Sequence, residues 1–234
     1  MGGVDERVAI ATVHAALDCG ITLIDTAQAY RSSEALLGKA LAGGRRERCF
    51  LATKASFDYS PAGITSALEA SLSALRTDRI DLYQIHSHKP EFPIPAAMET
   101  LVRLREQGKI RLIGVSNYKT PQMREALEHA PVASNQVRYN LFDRDIEAED
   151  MGFCERNGVG ILVHSPLAKG LLTGRYTPAH RFADDDERSR FPRFQGELFA
   201  RYLAAASRAA EVAAGRGLSL VQLAIAWCLV PAAV

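Results

Sequence analysis

Two periodicities alternate along the chain. Short apolar, β-branched runs at residues 21–27, 49–54, 80–86, 110–117, 134–137 and 160–164 read as strands, the first as a buried one. Between and after them, apolar residues recur three and four positions apart, the spacing of one helix face. That pattern predicts helices at about 5–18, 33–42, 146–157, 197–214 and 219–229, with further helices in the remaining gaps. Ser60-Pro61 opens one of these in the preferred order of capping residue and first-turn proline, and its stripe is Ile64, Leu68, Leu72 and Leu75. Pro93 and Pro95 introduce the next, which closes at Gly108, and Thr120-Pro121 caps another. Each return to a parallel strand requires a crossover helix, so the repeated strand–helix unit implies a parallel sheet. The repetition predicts an α/β fold of the (β/α)8 TIM barrel type, as a single domain over residues 1–234. A doubly wound sheet is the competing architecture, but its G-x-G-x-x-G phosphate turn is absent.

Charge narrows the function classes. The 234 residues carry a formal net charge of +1 with basic and acidic side chains intermixed, so neither nucleic acid nor a membrane surface is an expected partner. Cys19, Cys49, Cys154 and Cys228 show no paired spacing and read as reduced core residues of a cytoplasmic protein, not as a disulfide or zinc set. The opening Met1-Gly2-Gly3-Val4-Asp5 has neither the basic region nor the apolar run of a signal peptide. The most apolar segment, 218–234, carries Ser219, Gln222 and Pro231 and is short for a spanning helix; a buried helix is expected in preference to a tail anchor. Residues 175–196 are a long polar stretch containing Asp184-Asp185-Asp186, read as bordering a pocket or as solvated surface. Oligomeric state leaves no signature.

Barrels of this type carry their reactive groups at the carboxyl ends of the strands. Those ends deliver Asp25 and Tyr30, then Lys54, then His86. Singly, each has an ordinary reading: a capping aspartate, a packing tyrosine, a solvated lysine, a satisfied core histidine. Together they fall on one rim of three consecutive strands, and the set suits carbonyl reduction. A tyrosine hydroxyl, with a pKa near about 10, is a weak proton donor. A neighbouring ammonium stabilises the phenolate, a carboxylate keeps that ammonium charged, and a histidine can orient the carbonyl oxygen.

Asp25-Thr26-Ala27 with Tyr30, Ala52-Thr53-Lys54 and Asp81-Leu82-Tyr83-Gln84-Ile85-His86 resemble the aldo-keto reductases. Gly114-Val115-Ser116-Asn117, Asn135-Gln136 and Ser165-Pro166-Leu167 extend the resemblance in order over nearly the whole chain. It implies reduction of an aldehyde or ketone by a nicotinamide cofactor, NADPH (NADP) by expectation with NADH still open, and a small-molecule carbonyl as partner. It implies a catalytic set of Tyr30 as general acid with Lys54, Asp25 and His86. Ser116, Asn117 and Gln136 are then expected to hold the nicotinamide carboxamide, and Ser165, Leu167 and Gly170 to lie along the pyrophosphate. Gly170-Leu171-Leu172-Thr173-Gly174 is similar to the loop of bacterial members of the short type.

The resemblance also has departures. His164 stands where the family usually stacks a tyrosine on the nicotinamide, and Ser87 follows His86 where tryptophan is common. His86-Ser87-His88 forms an H-x-H pattern that keeps a metal-dependent hydrolase in view, with His164 alone as a further ligand at another strand end. Family members place one more strand before the first helix seen here and another after the last. The expectation is therefore an incomplete barrel with strands two to seven of eight, truncated at both ends. A catalytically impaired fragment, or a cofactor-sensing regulatory subunit, is the alternative function.

Overall fold

The computed structural model describes residues 5–234, so the segment before Asp5, read above for signal features, lies outside the described residues. Helix α1 (Glu6–Asp18) starts where the Asp5 carboxylate accepts from the Arg7 and Val8 backbone N–H groups. There follow β1 (Leu23–Asp25), α2 (Ser33–Ala40), β2 (Phe50–Ala55), α3 (Pro61–Leu75), β3 (Ile80–Ile85), α4 (Ile94–Glu106) and β4 (Ile110–Ser116). Then come α5 (Thr120–His129), β5 (Val132–Arg138), α6 (Asp150–Arg156), β6 (Gly160–His164), α7 (Gly196–Ala214) and α8 (Leu220–Cys228). The six strands stand in sequence order, β1-β2-β3-β4-β5-β6, and β1 through β5 pair in parallel. This is the α/β order of a (β/α)8 barrel, with six strands where a closed barrel of that type has eight.

The chain divides into two compact units. One holds the described residues through Gln136 together with Arg156–Gly160, and the other holds Val137–Glu155 and Ile161–Val234.

In the first unit, β2 is buried from Leu51 on and β3 throughout, so the polar Thr53, Lys54, Asp81 and Gln84 are buried along with their apolar neighbours. Alternation along each strand sends Thr53 toward the helices, where its hydroxyl donates to Glu34 of α2 at 2.6 Å. The next residue, Lys54, then points to the opposite face beside Gln84, its register partner on β3. Ser116 of β4 and Gln136 of β5 are likewise register partners. The predicted α3 stripe of Ile64, Leu68, Leu72 and Leu75 is buried, and Ser60 caps that helix by accepting from the Gly63 N–H at 3.1 Å. Asp81 ties β3 to β2: its carboxylate accepts from the Leu51 N–H at 2.9 Å and pairs with Arg46 at 2.8 Å.

The first strand departs from expectation. It spans three residues, not the whole 21–27 run, and Ile21 and Leu23 are 55% and 43% exposed. β1 pairs with β2 and with no other strand among the described residues, so one flank is left without a strand partner. Cys19 departs too: it is exposed, while Cys49, Cys154 and Cys228 are buried as expected.

In the second unit, Ala168, Leu171, Leu172, Phe194, Phe199, Ala206, Leu220 and Ala224 form one buried cluster. The polar stretch at 175–196 is folded onto it through short 3-10 turns at Glu187–Arg190 and Pro192–Phe194. Phe182, inside the stretch, meets Phe194 edge to face at 5.2 Å, and Arg193 grips buried Asp143 through both guanidinium nitrogens at 2.8 and 2.7 Å. The C-terminal apolar segment forms α8, which buries Leu220, Ala224 and Cys228. No described helix is long and apolar enough to cross a membrane.

Candidate active site

Alternation and register bring a polar group to the carboxyl ends of β1, β2 and β3. Lys54, with no solvent exposure, donates its ammonium to Asp25 Oδ2 at 2.5 Å and to the Thr26 carbonyl at 2.8 Å. Asp25 Oδ1 accepts from Gln84 Nε2 at 3.1 Å and from Gln136 Nε2 at 3.0 Å. The Tyr30 ring lies with Lys54 Nζ 5.2 Å from its centroid, and it meets the His86 imidazole edge to face at 5.6 Å. Asp25, Lys54, Tyr30 and His86 thus form a chain of neighbours within one unit, each beside the next. Of the four, only Lys54 is fully buried, and its charge is met by the Asp25 carboxylate and the Thr26 carbonyl.

Electrostatics follow from the geometry. Burial lowers the Lys54 pKa, and the Asp25 carboxylate opposes it, holding the amine toward its charged form. Burial also lowers His86, helped by the Lys54 charge and opposed by Asp25. Tyr30 moves up: burial and then the Asp25 charge hold its phenol above the ordinary range. The sequence reading anticipated a phenol made more acidic by its lysine. In the resting site the lysine charge is paired with Asp25, and burial with the Asp25 charge leaves the phenol protonated more firmly.

Ser116 and Asn117 follow at the end of β4. The Ser116 hydroxyl donates to the Gln136 carbonyl at 2.8 Å, and Asn117 Nδ2 donates to the His86 carbonyl at 3.2 Å. Gln136, expected to face a cofactor, turns its amide nitrogen to Asp25. In the other unit, His164 Nδ1 lies 3.2 Å from the Ser165 hydroxyl, and the Ser165 carbonyl accepts from Asn140 Nδ2 at 3.0 Å. Leu167 accepts from the Gly170 N–H at 2.9 Å, across a turn in which Ala168, Lys169 and Gly170 all have positive φ.

Two contributors escaped the sequence reading. Gln84 is fully buried within β3, which is itself a signal, since a buried amide needs a partner. It reaches Asp25 past Gly114, where a methyl would come within 2.9 Å of Gln84 Cγ and of Ser134 Oγ. Ser56, two residues after Lys54, lies 2.8 Å from His86 Nδ1 and gave no comparable cue. The H-x-H pattern does not converge: the His86 ring meets Tyr30, whereas the His88 ring meets Tyr118 at 5.8 Å. Among the described residues, no group of three or more His, Cys, Asp or Glu side chains is arranged to hold a metal.

The sequence profile of the Aldo/keto reductase family matches residues 1–234. Aldo-keto reductase YhdN of Bacillus subtilis is 41% identical over 97% of this chain and 73% of its own length. The aldo-keto reductase yakc (NADP(+)) of Schizosaccharomyces pombe is 33% identical over 97% of this chain and 72% of its own length. Among solved structures, the glycerol dehydrogenase AKR11B4 of Gluconobacter oxydans superimposes with a TM-score of 0.91 at 38% identity, covering 97% of this chain and 74% of that one. With the profile, the relatives and the superposition in agreement, the chain belongs to the aldo/keto reductase family and is an NAD(P)H-dependent oxidoreductase.

Proposed function

We propose that this chain reduces an aldehyde or ketone to the alcohol, with Tyr30 as proton donor and NADPH as the reductant. One observation carries the reading: a fully buried lysine held between a carboxylate at 2.5 Å and a tyrosine ring at 5.2 Å, with a histidine ring against that tyrosine. The Tyr30 hydroxyl gives its proton to the carbonyl oxygen as charge develops there. Lys54 stabilises the phenolate left behind, and Asp25 keeps Lys54 charged against burial. His86, neutral because its pKa is lowered, donates a hydrogen bond to the same oxygen and orients it.

The side chains at the ends of β4 and β5 fit the nicotinamide group. Ser116, Asn117 and Gln136 carry a hydroxyl and two amides of the kind that pair with a carboxamide. The Ser116 proton and Asn117 Nδ2 are bonded within the protein and would have to turn to it. Gln136 Nε2 is engaged by Asp25, which leaves Oε1 to accept from that carboxamide. When bound, the reduced cofactor supplies the hydride. The NADP(+) in the name of the S. pombe relative favours the phosphorylated form. For His164, Ser165, Leu167 and Gly170, a role in holding the same cofactor rests on the family resemblance.

The test is consumption of NADPH and of NADH with a panel of aldehydes and ketones, run beside Tyr30→Phe. General acid catalysis is worth roughly a hundredfold or more, so the variant should lose at least that much turnover. Equal slow turnover in both forms would refute Tyr30 as the acid. Tight nucleotide binding without turnover, read by fluorescence, would favour the cofactor-sensing alternative.

A further inference from the structure

We infer that Ser56 is a positioning residue that sets the tautomer of His86: its hydroxyl donates to Nδ1 and leaves the ring proton on Nε2. The inference rests on the carbonyl-reducing role proposed for His86, which needs an N–H directed at the substrate oxygen.

Ser56 is only 9% exposed and is pinned through its backbone and side chain. Its N–H donates to Gln28 Oε1 at 3.1 Å, and its carbonyl accepts from the Tyr59 hydroxyl at 3.3 Å. Its Oγ accepts from the Ala29 N–H at 3.3 Å. The single hydroxyl proton then has two acceptors to choose between: His86 Nδ1 at 2.8 Å and the Lys54 carbonyl at 3.4 Å. The first distance is that of a normal hydrogen bond and the second lies beyond the usual range. The Lys54 carbonyl is moreover already taken by the Gln28 N–H at 3.2 Å. The proton therefore goes to Nδ1.

A neutral imidazole carries one N–H, so a ring that accepts at Nδ1 must donate at Nε2. The His86 backbone is fixed as well, its N–H donating to the Ala55 carbonyl at 3.0 Å, next to Ser56 in the chain. Had Ser56 bonded to Lys54 instead, Nδ1 would hold the proton and Nε2 would present a lone pair to the carbonyl oxygen, a repulsive contact. The serine thus decides whether His86 attracts or repels its substrate.

The experiment is nitrogen-15 NMR of the histidine side chains in the whole chain, for wild type, Ser56→Ala, Ser56→Thr and Ser56→Cys, with steady-state kinetics on the same samples. Wild-type His86 should be the Nε2–H tautomer. One lost hydrogen bond corresponds to roughly a fivefold change, so Ser56→Ala should shift the tautomer ratio toward Nδ1–H, and lower kcat/KM, by about that factor. Ser56→Thr should restore both, and Ser56→Cys, a weaker donor of similar size, should fall between. Unshifted signals from His14 and His129 identify a variant that is still folded, and if alanine fails that check the cysteine variant carries the comparison. Nδ1–H in the wild type, or a ratio unchanged in the folded variants, would overturn the inference. The tautomer is read without turnover. Hence a Tyr30→Phe enzyme as active as wild type would sink the functional reading while leaving the Ser56 result to stand or fall separately.

Discussion

Lys54 Nζ and Asp25 Oδ2 are 2.5 Å apart, with the lysine side chain wholly buried and the aspartate 28% exposed. The pair is asymmetric: the cation has no access to water and depends on this carboxylate, whereas the carboxylate keeps some solvent and two amide donors. A buried pair of this kind is weak evidence for stability, because desolvation offsets most of the attraction. Its two halves nevertheless cannot be separated without cost.

Asp25→Asn should therefore destabilise the fold, by on the order of 3 kcal/mol, because it strands the Lys54 charge in the interior. The Lys54 pKa, already lowered by burial, should drop further once the opposing carboxylate charge is gone. A fall in the urea midpoint with an unchanged slope is the expected result. A midpoint equal to wild type would mean that Lys54 is already neutral in the native state.

The site should show a defined pH response. The groups facing His86 are Lys54, Asp25, Tyr30 and Ser56. Its native pKa lies below the unfolded value of about 6.5, so between those two pH values the unfolded chain binds more protons. Stability then rises with pH across that window and is lost on acidification through it. His86→Gln should flatten this slope in pH-dependent unfolding. Tyr30 is shifted the other way, so it remains a proton donor past about pH 10, and the first alkaline fall in kcat/KM for reduction should come from loss of the Lys54 proton, whose pKa burial lowers. A decline beginning near neutrality would point to a different acid.

Arg193→Ala should loosen the 175–196 stretch. It removes both short bonds to Asp143 and leaves that buried carboxylate with Asn140 and a more distant Arg138 at 3.5 Å. The expected cost is roughly 3 kcal/mol, with faster proteolytic cleavage between residues 175 and 196. An unchanged cleavage rate would show that the aromatic contacts of Phe182 and Phe194 hold the stretch without the ion pair.

Gly38→Ala should be among the more damaging single methyl additions. Gly38 sits where α2 crosses α3, and a methyl there would run into the Ala74 carbonyl and the Leu75 backbone. Backbone cannot rotate aside as a side chain can, so a loss of about 2 to 3 kcal/mol in thermal or urea unfolding is expected. Gly44→Ala, where a side chain would meet open space, provides the comparison, although its positive φ adds some strain of its own.

Much of the fold could be read from local pattern. Helix spacing in α3, with Ser60-Pro61 before it, required no knowledge of distant residues, and the stripe it predicted is buried. Strand alternation with glycines and prolines between elements was enough to recognise the repeat. β1 was misread because apolar, β-branched residues favour extended structure whether or not a neighbour covers them, and coverage is a property of the sheet. The stretch at 175–196 could be read as pocket border or as solvated surface, because charges outnumber its aromatics, and the packing of Phe182 on Phe194 is visible only in the structure.

By itself the sequence determined which chemical groups stand at the strand ends: side-chain identity and period-two alternation are local, and they put Asp25, Lys54 and His86 on one rim. Only the tertiary structure decided what those groups do to one another. Whether Lys54 spends its charge on Asp25 or on Tyr30, whether Gln136 turns to a carboxylate, and which nitrogen of His86 meets Ser56 all depend on contacts between residues far apart in the chain. Hydrogen bonds and charge interactions are set by ångström-scale distances and by burial, and neither is written in the order of the residues.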